Sequence, residues 1–71
     1  MRVLREAIAH YREALKLAPN DAQTRNNLGN ILAELGQLDE AATNYVEALR
    51  LNLNYEAPKE QLRLLNSAVC K

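Results

Sequence analysis

A chain of 71 residues can form one small domain at most, and it buries a smaller share of its surface than an average domain does. Nine Lys and Arg residues balance nine Asp and Glu residues, so no overall field attracts nucleic acid or an anionic membrane. We therefore expect neither as a partner. Gly29, Gly36, Pro19 and Pro58 are the strong helix breakers in a chain rich in Leu and Ala, which predicts an all-α fold.

Cysteine usage and hydropathy indicate the cellular compartment in which the protein is expected to work. Cys70 is the single cysteine, so the chain cannot form an internal disulfide. The sequence has no signal-peptide segment and no apolar run long enough to span a bilayer. These features predict a protein of a reducing compartment, the cytoplasm.

The first predicted helix covers residues 2–18. Its apolar residues recur at intervals of three and four, which is the spacing of an amphipathic helix. Pro19 and Asn20 end the helix because proline cannot continue it. The apolar positions are Leu4, Ala7, Ile8, Tyr11, Ala14, Leu15 and Ala18.

The second predicted helix covers residues 22–35. Asp21 is its N-cap, since a carboxylate there can accept the free backbone N–H groups near Thr24. Gly36 occupies the position where the end of the helix needs a left-handed residue, and the short connection makes the next helix return antiparallel. The apolar stripe of this helix contains Leu28, Ile31, Leu32 and Leu35.

Two further helices are predicted, over residues 38–52 and 58–68. Asp39 and Glu40 suit the first turn of the third helix. Pro58 fits an early position of the fourth helix, which has a single apolar stripe and so suits a capping role. That stripe contains Leu62, Leu65 and Val69.

An internal repeat of 34 residues relates the first and third helices. Nine of the eighteen positions from 4 to 21 are identical to the residue 34 positions later. Such self-similarity indicates a repeat architecture, in which each unit buries its apolar face against a neighbour. The identical pairs begin at Leu4 and Leu38, include Ala7 with Ala41, Tyr11 with Tyr45 and Ala14 with Ala48, and end at Asn20 and Asn54.

This period and pattern resemble the tetratricopeptide repeat. The resemblance implies antiparallel helix pairs of a solenoid, with residues 1–21 as the second helix of a partial repeat, 22–55 as a full repeat and 56–71 as a capping helix. Two positions depart from the family pattern, because Arg25 replaces its tryptophan and Leu53 its proline. The matching residues are Leu28, Gly29, Gly36, Ala41, Tyr45 and Ala48.

A polar stripe on the second helix is the candidate partner-binding site. Asparagine is a poor helix former, so three asparagines in one helix suggest a function. Their amides match the N–H and C=O groups of an extended peptide. By resemblance to the family, Asn27 and Asn30 would be the central contacts in a groove, and the protein a non-catalytic scaffold for a protein or peptide. The alternative is a solvated helix face with some hydrogen bonding between helices. The stripe contains Gln23, Asn26, Asn27, Asn30 and Glu34.

A structural module that assembles with itself is the second hypothesis. Without a preceding partner helix, part of the first helix would lack a cover, which predicts a homo-oligomer, most simply a symmetric dimer. The residues expected at that contact are Leu4, Ile8, Tyr11 and Leu15.

Catalytic, metal and cofactor sites are not expected. His10 has no second ligand at metal-binding spacing, and Cys70 could act with it only if distant segments met. No glycine-rich phosphate loop is present. The polar stripe also has no Lys or Arg to hold a C-terminal carboxylate, so an acidic peptide tail does not suit that groove.

Overall fold

The computed structural model describes the backbone of residues 2–69 and the side chains of residues 3–65. Over this range the chain forms four α-helices and no strand, which confirms the all-α prediction. Each helix end lies within two residues of its predicted place. The helices are α1 (Arg2–Leu17), α2 (Ala22–Glu34), α3 (Leu38–Leu51) and α4 (Glu56–Val69).

The largest difference from prediction is the start of α4, which begins at Glu56 and places Pro58 in the first turn. Proline is tolerated there because the first N–H groups of a helix have no partner within it. Across residues 2–69, none of the helices combines the length and apolarity needed to cross a bilayer.

Local chemistry fixes both ends of α2. Asp21 has extended backbone angles, and its carboxylate accepts from the Thr24 backbone N–H at 3.3 Å and from the Thr24 hydroxyl at 2.8 Å. These hydrogen bonds lower the pKa of Asp21 below its ordinary value, with the hydroxyl contributing most. At the other end Gly36 has a φ of 83°, and the Gly36 and Gln37 N–H groups donate to the Ala33 and Leu32 carbonyls. The predicted cap and the predicted glycine turn are both confirmed.

The core is densest where α2 meets α3. Leu32, Ala41, Tyr45 and Ala48 are fully buried. Gly29 permits the close approach of these helices, since a Cβ at this position would lie 2.7 Å from Tyr45 Cε1. Beyond this pair, α1 packs on α2 and α4 packs on α3, so the substantial contacts join helices consecutive in the chain.

Candidate functional site

The polar stripe of α2 is only partly an open surface. Gln23 and Glu34 are exposed and Asn27 and Asn30 are half-buried, but Asn26 is 5 % exposed. The expectation that the whole stripe lies away from the packed side is therefore wrong for Asn26. The reason is that Asn26 stands three residues before Gly29, one turn along the side where α3 approaches most closely.

Asn30 is held by a buried tyrosine. The Tyr45 hydroxyl donates a 2.6 Å hydrogen bond to Asn30 Oδ1. Burial raises the pKa of Tyr45 above its ordinary value of 10.0, so the hydroxyl stays protonated and able to donate near neutral pH. Because this bond takes up the amide oxygen, the Asn30 NH₂ group is turned away from Tyr45 and is available to an acceptor.

Asn27 is the second half-buried amide of the stripe. It forms no side-chain hydrogen bond within the part of the chain that is described. Its amide therefore keeps both a donor and an acceptor. The four remaining members of the stripe form one ridge, because residues 23, 27, 30 and 34 are separated by four, three and four positions. We call Gln23, Asn27, Asn30 and Glu34 the α2 ridge.

The face of α1 expected to associate is covered more than predicted. Ile8 and Leu15 are each 8 % exposed, because α2 packs over them. They do not belong to an open face, whereas Leu4 and Tyr11 are half-buried.

The 34-residue repeat identifies a different open side of α1. Ala41, Tyr45 and Ala48 on α3 are fully buried. Their counterparts on α1 are less covered, since Ala7 and Tyr11 are half-buried and Ala14 is exposed. The same side chains thus occupy a packed surface on α3 and a partly uncovered one on α1. We call this uncovered surface, Ala7, Tyr11 and Ala14, the α1 face.

Other candidate chemistry is sparse. His10 is exposed on α1, and Cys70, the other residue of the dyad considered above, lies outside the described residues. Within the described part of the chain, no group of three or more His, Cys, Asp or Glu residues is arranged to hold a metal ion.

Sequence reasoning missed the role of Tyr45 beyond packing. The sequence indicates Tyr45 only as a position that matches the repeat pattern, yet its hydroxyl also orients Asn30. The available signal is that a tyrosine at a packed repeat position carries a hydroxyl, and a buried hydroxyl requires a hydrogen-bond partner.

Comparison with known proteins agrees with this architecture. Residues 4–36 match a family model described as TPR repeat, and residues 22–55 match one described as tetratricopeptide repeat. Among curated proteins, heat shock protein STI1 of Saccharomyces cerevisiae is 39 % identical over 57 residues. The match covers 80 % of this chain but 10 % of that protein, so the chain spans about a tenth of the relative's length.

Proposed function

Because the chain belongs to the tetratricopeptide-repeat family, we propose that it is a non-catalytic scaffold that holds an extended segment of another protein on the α2 ridge. Family membership supports protein–protein interaction in general. The observation that carries the finer proposal is the pair of central amides, one oriented by Tyr45 and one without an internal partner. Both can bond to a peptide backbone at little cost, because no internal hydrogen bond has to break first.

The length of the ridge sets the length of the segment. Residues 23 and 34 are eleven positions apart, which corresponds to about 16 Å along a helix. An extended chain rises about 3.3 Å per residue, so the ridge accommodates about five residues. Glu34 at one end favours a neutral or basic segment over an acidic one.

The test uses peptides selected from a random library displayed on phage, with their affinity measured by calorimetry. The double variant N27A/N30A should bind the selected peptide about tenfold or more weakly, since several backbone hydrogen bonds are lost at about 0.5–1.5 kcal/mol each. The matched control is N54A, which removes an exposed asparagine amide from the connection between α3 and α4. Equal affinity of N27A/N30A and the unmodified chain would refute the proposal.

Self-association into a dimer through the α1 face is the second candidate. It is favoured by the contrast between Tyr11, which is half-buried, and its counterpart Tyr45, which is fully buried. Val3, which is 76 % exposed, extends the same side of α1 and adds apolar area.

Sedimentation across a concentration series tests this dimer. Tyr11→Glu should keep the chain monomeric at concentrations where the unmodified chain associates. Val46→Glu is the control, since Val46 is 54 % exposed on α3 and lies outside the α1 face. A monomeric mass of the unmodified chain at high micromolar concentration would exclude the dimer.

A cytoplasmic location remains a prediction based on the single cysteine.

A further inference from the structure

A cavity of about 340 Å³ lies between α1, α2 and α3. Its most buried lining residues are Leu28, which is 3 % exposed, and Leu15 and Asn44, which are each 8 % exposed, so the floor is mostly apolar with one amide. The polar lining consists of Arg12, Lys16, Arg25, Glu40 and Asn44. We call this the Arg25 cavity. It does not overlap the α2 ridge, since Arg25 lies about 140° from Asn30 and about 160° from Asn27 around the helix.

The cavity has an excess of positive charge, with three cations and one carboxylate in its lining. That carboxylate, on Glu40, is already paired with Arg12 at 2.9 Å. Lys16 is paired with Glu13 at 2.9 Å, and these side chains are largely exposed, so water screens them. Both of these cations therefore have a partner at the rim of the cavity.

Arg25 differs from the other two cations. Its Nε is buried without a hydrogen-bond partner, and the residue forms no ion pair within the described part of the chain. Arg25 as a whole is half-buried, but a buried N–H donor left without a partner is costly, because buried polar atoms are bonded in nearly all proteins. The family pattern has tryptophan at this position, which would fill the space with less need for an acceptor. Arginine here introduces a requirement for an acceptor that the described chain does not meet.

We propose that the Arg25 cavity is a second binding site, which takes an oxyanion on the Arg25 guanidinium. The group is the carboxylate or phosphoryl group of a partner's side chain. Guanidinium presents a planar fork of donors that matches both groups, and charge-assisted bonds of this kind are the strong ones. Lys16 and the free donors of Arg12 add attraction at the rim, and Leu15 and Leu28 exclude water from below. A partner could thus engage both sides of α2.

Arginine side-chain NMR tests the site directly. The unmodified chain is titrated separately with N-acetylphosphoserine amide, N-acetylglutamic acid amide and the uncharged N-acetylserine amide, while the Arg25 Nε–H signal is followed. We expect a saturable shift with the phosphoryl probe, the carboxylate probe or both, and none with N-acetylserine amide. The stronger of the two anions identifies the source of the oxyanion. The Asn27 and Asn30 amide signals should not move, so the result is independent of the proposed function of the α2 ridge.

Two variants separate a site from a general effect of charge. Arg25→Gln should weaken binding about tenfold or more, because a charge-assisted hydrogen bond is lost. Arg5→Gln removes the same charge from an exposed arginine outside the Arg25 cavity and should leave binding unchanged. An equal loss in both variants would overturn the proposal. So would an Arg25 signal that neither anion shifts in the unmodified chain, a result that does not depend on how any variant folds.

Discussion

Gly29→Ala tests how closely α2 and α3 approach each other. The added Cβ would lie 2.7 Å from Tyr45 Cε1, 2.9 Å from Cδ1 and 3.1 Å from Cζ. The ring cannot easily yield, because it is fully buried and its hydroxyl is bonded to Asn30. Overpacking of this kind costs about 1–3 kcal/mol, whereas alanine in place of glycine gains about 1 kcal/mol of helix propensity. We expect a net loss of about 1 kcal/mol in the free energy of unfolding.

The sign of this effect should reverse when the ring is removed. In a Tyr45→Leu background the added Cβ meets no ring atoms, so Gly29→Ala should raise the free energy of unfolding by about 1 kcal/mol. Urea unfolding followed by circular dichroism at 222 nm measures all four chains, with enough trimethylamine N-oxide to keep Tyr45→Leu folded. The difference between the two backgrounds isolates the contact between residues 29 and 45. If Gly29→Ala stabilises both backgrounds equally, the helices are not in the close contact described.

Three further outcomes are expected from the same urea assay. Gly36→Ala should lower the free energy of unfolding by about 1 kcal/mol whatever stands at position 45, because the cost comes from the positive φ and no atom lies within 4 Å of the added Cβ; an unchanged midpoint would contradict this. Tyr45→Phe should lose about 0.5–1.5 kcal/mol at pH 7. The raised pKa of Tyr45 contributes stability that is fully present below pH 10, the ordinary value, and is lost as the pH rises through the higher folded value. The unmodified chain should therefore lose stability more steeply than Tyr45→Phe as the pH rises above 10; parallel curves would exclude the burial effect. Arg25→Met should raise the free energy of unfolding by about 1 kcal/mol, since it removes a buried donor that has no partner, and a loss would show that Arg25 is satisfied in the native state.

The fold was predictable from local signals. Intervals of three and four between apolar residues define all four helices. This signal depends only on residues that are close in the sequence. The cap at Asp21 and the turn at Gly36 follow from the chemistry of those two residues alone. The repeat then determines the order of packing, because a unit that recurs must present the same surfaces to its neighbours.

The sites were less predictable, because burial depends on neighbours that the local pattern does not identify. An apolar stripe does not show which of two flanking helices will cover it, so Ile8 and Leu15 were assigned to an open face although α2 covers them. Asn26 was treated as surface because of its residue type, yet its position relative to Gly29 buries it. The hydrogen bond from Tyr45 to Asn30 joins two helices, and only their packing brings the residues together.

The packing of each helix mainly on its neighbours in the chain has a consequence for folding and local opening. Contacts between residues close in sequence form quickly, since little loop-closure entropy is lost, and this favours a rapid folding reaction. Loss of α1 or α4 would leave the α2 and α3 pair with the close approach of Gly29 and Tyr45 in place. Protection against hydrogen exchange should accordingly be graded, highest for amides in α2 and α3 and falling toward both ends. The α2 ridge therefore lies on the most protected part of the molecule, whereas the α1 face lies on a helix that can open independently.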